Sequence, residues 1–220
     1  MNFLSQIKNW QLYVITDEQI SKGRSHIEIA KAAIAGGADV IQLRDKMASS
    51  RKLYEDALAI RKITRDSGVT FIVNDRLDIA LAVDSDGLHV GQKDLPAKIA
   101  RRLMGENKIL GVSAETLAEA IQAEKDGADY LGVGPIFEAR STKSDAGEPM
   151  GLTLLREIRQ ACRLPIVAIG GIHRNNARET ILAGADGIAV ISAIVSADDI
   201  ARAARELREI VFDERASIGR

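Results

Sequence analysis

Cysteine, aromatic rings and net charge are all scarce in this chain of 220 residues. A single cysteine, Cys162, rules out an intrachain disulfide and fits a reducing compartment. No base or helix start near it argues for a lowered thiol pKa, so it is not expected to be a catalytic nucleophile. A net charge of −1 gives no electrostatic reason to bind nucleic acid or a membrane surface. The opening "MNFLSQIKNWQL" lacks the apolar run of a signal peptide, and no stretch approaches the ~20 apolar residues of a spanning helix. The expected compartment is therefore the cytoplasm. Low-complexity segments, a composition break, a Ser-His-Asp spacing and a zinc-ligand spacing are likewise absent.

What remains is an aliphatic alternation. With 46% hydrophobic but only 4% aromatic residues, the core is built from Ala, Val, Ile and Leu. Short apolar runs fall at 11–16, 39–44, 70–74, 87–91, 109–113, 130–134, 165–170 and 187–191. Amphipathic stretches such as "HIEIAKAAIAG" and "RKLYEDALAIRKITRDSG" lie between them. Strands separated by helices read as βα units around a parallel sheet. Eight units in a chain of this length predict an α/β fold, a single-domain (β/α)8 TIM barrel. A short N-terminal extension (about 1–10) and a C-terminal helix and tail (about 198–220) are expected to flank it. "GGAD", "DGAD" and "AGAD", ending at Asp39, Asp129 and Asp186, read as repeated αβ turns of the scaffold.

Such barrels carry their chemistry at the C-terminal ends of the strands. In "DVIQLRDK", Ile41 and Leu43 share the face that packs on helices. Gln42 and Arg44 share the other, with Lys46 just beyond. These donors favour an anion over a merely solvated pair of charges. Asn74 and Asp75 end the third strand, and Asp94 follows the fourth. Each aspartate alone reads equally as a helix N-cap. Together, beside two cations, they suit a magnesium–diphosphate. His89 reads as a hydrogen-bonded core histidine, whereas His26 and His173 lack a companion nucleophile. Ser113 points inward, to a ligand or to a simple turn. Gly170 and Gly171, then Ser192, mark the two last strand ends as a phosphate site or as ordinary barrel turns.

"GGADVIQLRDK", "VNDRLDIA", "DGLHVGQKDLP", "GVSAET", "GADYLGVGPIF", "AIGGI" and "GADGIAVISAI" together resemble the thiamine-phosphate synthase family, from about Leu12 to Ile200. The resemblance implies a transferase that joins hydroxymethylpyrimidine diphosphate to hydroxyethylthiazole phosphate and releases pyrophosphate. It implies that Gln42, Leu43, Arg44, Asp45, Lys46, Asn74, Ser113 and Lys143 hold the pyrimidine diphosphate. Arg44, Lys46 and Lys143 would act in catalysis, and Asp75 and Asp94 would bind Mg²⁺. The thiazole phosphate would meet Arg140, Ser141, Thr142, Gly171, Ile191 and Ser192.

One segment departs from the pattern. The family usually reads "GPIFPT" before its "TK" pair, whereas this chain reads "GPIFEARSTK". Arg140 and Ser141 stand where threonine is usual, and the whole loop is expected to act as a lid over the diphosphate. The rival readings are a thiazole tautomerase-like relative and a non-catalytic sensor of thiamine precursors on the same barrel. Barrel enzymes of this size often dimerise, so the expected partners are two small-molecule substrates and a second copy of the chain.

Overall fold

A computed structural model describes residues 7–138 and 148–219. Eight strands, β1 Leu12–Thr16, β2 Val40–Leu43, β3 Thr70–Asn74, β4 Gly87–Val90, β5 Ile109–Ala114, β6 Tyr130–Val133, β7 Ile166–Ile169 and β8 Gly187–Val190, form the sheet. They pair in sequence order, all parallel, and β1 closes on β8. The helices are α1 His26–Ala35, α2 Ser50–Ser67, α3 Leu77–Ala82, α4 Ala97–Met104 and α5 Leu117–Lys125. They continue with α6 Gly151–Ala161, α7 Ala177–Leu182, α8 Ser192–Val195 and α9 Ile200–Ser217. The fold is the expected (β/α)8 barrel. Most strands are a residue or so shorter than their apolar runs, whose ends already belong to the loops.

Local chemistry explains where the helices begin and end. Ser25 Oγ accepts the Glu28 N–H at 3.2 Å while Glu28 Oε2 accepts the Ser25 N–H at 2.8 Å, a reciprocal cap on α1. Gly68 ends α2 in the left-handed conformation, φ 68°. The C-terminal helix is an integral layer of the barrel: Ile200, Ala204, Leu207 and Val211 are buried in the common core. Arg215 also donates to the carbonyls of Lys8 and Trp10, tying the last helix to the chain's first described turn. None of the described helices is long and apolar enough to cross a membrane.

The recurring turn acquires a purpose at the strands' N-terminal face. Asp39 Oδ2 accepts the Leu12 N–H at 3.0 Å, Asp129 Oδ2 that of Leu110 at 2.8 Å and Asp186 Oδ2 that of Ile166 at 2.8 Å. A fourth member, Asp86, takes the Phe71 N–H at 2.8 Å. Each therefore stitches the start of an odd strand to the even strand that follows. Each also faces a guanidinium from a helix: Arg208, Arg61, Arg101 and Arg159, for Asp39, Asp86, Asp129 and Asp186 respectively. In the fourth turn Asp84, at φ 53°, stands in the left-handed position that Gly37, Gly127 and Gly184 fill elsewhere.

Candidate active site

At the opposite, C-terminal face the strand ends open into a cavity of about 990 Å³. From β2 it receives Arg44 and Lys46, from β3 Asn74 and Asp75, and from the loop after β4 Asp94. Ser113 reaches it from β5, and Gly170, Gly171, Ile191 and Ser192 from the ends of β7 and β8. In an eight-strand ring β7 and β8 lie across from β3 and β4. The cationic and acidic residues thus face the glycine turn across one mouth.

Neither aspartate is a helix cap. The cap position of α3 is Arg76 and that of α4 is Pro96, and neither uses a side chain for it. Asp75 instead sits at φ 61°, a left-handed conformation uncommon outside glycine, with its N–H donated to the His89 carbonyl at 2.8 Å. Asp94 Oδ2 accepts the Gly91 N–H at 2.8 Å, which closes the loop and holds the carboxylate. Burial pushes the Asp75 carboxyl up to about 6, helped by a hydrogen bond and charge repulsion from Asp94 and opposed by Lys46 and Arg44. Two carboxyls in contact, one reluctant to ionise, are a site short of positive charge. A divalent cation fits that deficit, since Mg²⁺ binds through one or two carboxylates and completes its shell with phosphate oxygens and water.

A second acidic group lies outside the cavity. Among the described residues Glu18, His26 and Asp56 bring potential ligand atoms within 4.8 Å of one another. There, however, Lys52 Nζ holds both Asp56 oxygens at 2.6 Å. His26 is engaged by Thr16 at 2.7 Å and Asp45 at 3.4 Å. An ammonium already supplies the positive charge at that cluster.

Gln42, Leu43 and Asp45, expected at the diphosphate, lie around the cavity rather than along its wall. Leu43 is fully buried and does not reach the cavity wall. Asp45 Oδ1 accepts the N–H groups of Met47 and Ala48, at 2.8 and 2.9 Å, and so folds the loop that carries Lys46. Gln42 lies deeper, its amide donating to Tyr13 Oη at 2.7 Å. His89 is hydrogen-bonded through both ring nitrogens, as a core histidine should be, yet it also lines the cavity. Arg140, Ser141, Thr142 and Lys143, with the lid they were expected to form, lie outside the described residues.

On the β7 side, Gly171 has φ 64°, and a Cβ there would stand 2.8 Å from Phe137 Cβ. Only glycine combines that conformation with that approach. Asn176 was not anticipated. Its Oδ1 accepts the His173 N–H at 2.7 Å and its Nδ2 donates to the Gly171 carbonyl at 2.9 Å, which fixes the turn. The cue was present in "GGIHRNN", where an asparagine follows the glycine pair at turn-bridging distance.

The sequence profile of the thiamine monophosphate synthase family matches residues 12–194. The chain belongs to that family. A thiamine-phosphate synthase of Chloroflexus aurantiacus is 60% identical over 208 residues, covering 94% of this chain and 95% of that one. One from Moorella thermoacetica is 60% identical over 206 residues, covering 94% and 98%. Among solved structures, a thiamine phosphate pyrophosphorylase from Pyrococcus furiosus superposes with a TM-score of 0.87 at 44% identity, covering 96% of this chain and 98% of the other. The residues matched by the family profile, 12–194, span all eight strands.

Proposed function

We infer that the protein is a thiamine-phosphate synthase, a transferase that joins hydroxymethylpyrimidine diphosphate to hydroxyethylthiazole phosphate with release of pyrophosphate. The observation that carries this reading is the pairing, within one cavity, of a charge-deficient Asp75–Asp94 site beside Arg44 and Lys46 with a glycine turn across the mouth. Its family membership and its near full-length relatives support the same activity.

In this reading Arg44, Lys46 and Asn74 take the diphosphate, and Asp75 and Asp94 would hold Mg²⁺. Bound there, the metal would supply charge stabilisation to the departing pyrophosphate. Arg44 and Lys46 add fixed donors where negative charge grows, which lowers the barrier without a general base. The aminopyrimidine is electron-rich enough to support a benzylic-type cation, so departure precedes attack. The Gly171 turn and the Ile191–Ser192 turn anchor the thiazole phosphate and aim the ring nitrogen, whose attack needs position more than activation. Thr142 and Lys143 join the two phosphate sites by family resemblance. The enzyme is proposed to act in the cytoplasm as a homodimer.

Purified protein incubated with both substrates and Mg²⁺ is expected to yield thiamine phosphate and pyrophosphate in equal amounts. Folded protein that forms neither product would overturn the assignment. Isomerisation of the thiazole alone would point to the tautomerase-like relative, and binding without turnover to a sensor.

A further inference from the structure

Beneath the cavity five polar side chains form one hydrogen-bonded file through the barrel interior. Gln42 Nε2 donates to Tyr13 Oη at 2.7 Å, and the hydroxyls of Tyr13 and Tyr130 meet at 2.9 Å. Tyr130 Oη meets His89 Nδ1 at 2.9 Å, and His89 Nε2 meets Ser113 Oγ at 2.9 Å. Gln42, Tyr13 and Tyr130 are at most 2% exposed, whereas Ser113 opens on the cavity. Room for the file is left by missing side chains. A Cβ on Gly111 would stand 2.1 Å from the Tyr130 ring, and one on Gly132 would stand 2.8 Å from the His89 ring. Metal and phosphate binding use neither tyrosine.

Counting hydrogens gives the file a direction. The amide of Gln42 brings its own hydrogen to Tyr13 Oη, so the Tyr13 hydroxyl hydrogen must go to another acceptor. Tyr130 Oη is the one in reach, and the reverse arrangement would strand a buried hydroxyl hydrogen. Having accepted from Tyr13, Tyr130 in turn gives its hydrogen to His89 Nδ1. Nδ1 is then bare, Nε2 carries the hydrogen, and Ser113 Oγ accepts it. Burial raises the pKa of both phenols, so each keeps the hydrogen that the file needs.

The geometry points to a directional relay, Gln42 to Tyr13 to Tyr130 to His89, that positions Ser113 with its own hydrogen aimed into the cavity. Ser113 is thereby made a donor, and its partner on the substrate must be a lone-pair acceptor: a pyrimidine ring nitrogen or a diphosphate oxygen, not the exocyclic amine. This choice of partner rests on the synthase reading. The relay itself rests on the protein alone. Tyr13, Tyr130 and His89 are positioning residues, acting through Ser113.

The tautomer of His89 reads the relay without any substrate. In protein labelled with ¹⁵N-histidine, the His89 signals are assigned among the three histidines by their loss in His89→Gln. Nε2 protonated and Nδ1 bare is the expected state, with that preference lost in Tyr130→Phe. The opposite tautomer in the unsubstituted protein would overturn the relay, whether or not thiamine phosphate is formed. In turnover, Tyr130→Phe is expected to raise KM for the pyrimidine diphosphate about tenfold when Ser113 is present. In a Ser113→Ala background it should add almost nothing, because the two act as one unit. Equal losses in both backgrounds would also overturn it.

Discussion

Aspartates stand at both ends of this barrel, and the two ends use them in opposite ways. At the N-terminal face Asp39, Asp86, Asp129 and Asp186 each meet a backbone N–H and a guanidinium. Their negative charge is matched within the fold, and they join strands. At the C-terminal face burial and then the contact with Asp94 hold the Asp75 carboxyl well above the ordinary carboxylate range, against the pull of Lys46 and Arg44. One set is finished by folding. The other is completed only by something that binds, which is how a catalytic face differs from a structural one.

Substitution should separate the two ends by what is lost. The largest effect is expected for Asp75→Ala, which removes half of the proposed metal site. Turnover should fall by about 10³-fold, the several kcal/mol that metal-assisted charge stabilisation supplies, measured as pyrophosphate release. Chelation of the metal should do the same to the unsubstituted protein. Asp129→Ala should act on the other quantity. Leaving Arg101 and the Leu110 N–H without their carboxylate should cost about 3 kcal/mol in urea unfolding, with kcat of the folded protein nearly unchanged. Gly171→Ala should raise KM for the thiazole phosphate severalfold. The added methyl would meet Phe137 and strain a left-handed residue by roughly 1 kcal/mol.

The smallest effect concerns pH. Because burial and Asp94 raise the folded pKa of Asp75 from 3.8 to about 6, the native protein keeps a proton there that the unfolded chain has already released. That contribution to stability is complete below about pH 4 and is lost as pH rises through 6. After allowance for partial exposure it amounts to about 1 kcal/mol. Asp75→Asn should remove this slope in metal-free protein, measured by urea unfolding between pH 4 and 7.

Much of this contrast was legible in the sequence. Three of the four structural turns declared themselves as Gly-Ala-Asp. The fourth escaped because Asp84 takes the left-handed position and Ser85 replaces alanine. Strand alternation put Gln42 and Arg44 on one face, but it carries no information about depth. Gln42 is therefore found below the cavity, bound to Tyr13, while Arg44 lines it. The cap reading of Asp75 and Asp94 could be removed only by seeing which residues begin α3 and α4. The interior relay left a fainter trace. His89, Gly111 and Tyr130 fall at one level on successive strands, so a large ring sits beside a missing one. That register depends on strand pairing, which a single sequence does not contain.

In the proposed function magnesium and diphosphate complete the charge site of the upper aspartates, whereas the lower four are already matched within the fold. Thermal unfolding at pH 7, with and without Mg²⁺ plus pyrophosphate, tests it most directly on the parent protein and Asp75→Asn. The metal-free variant is expected to melt above the metal-free parent. The ligands are expected to raise the parent's Tm saturably and the variant's far less. A variant that melts lower without ligands, or one stabilised by them as fully as the parent, would contradict it.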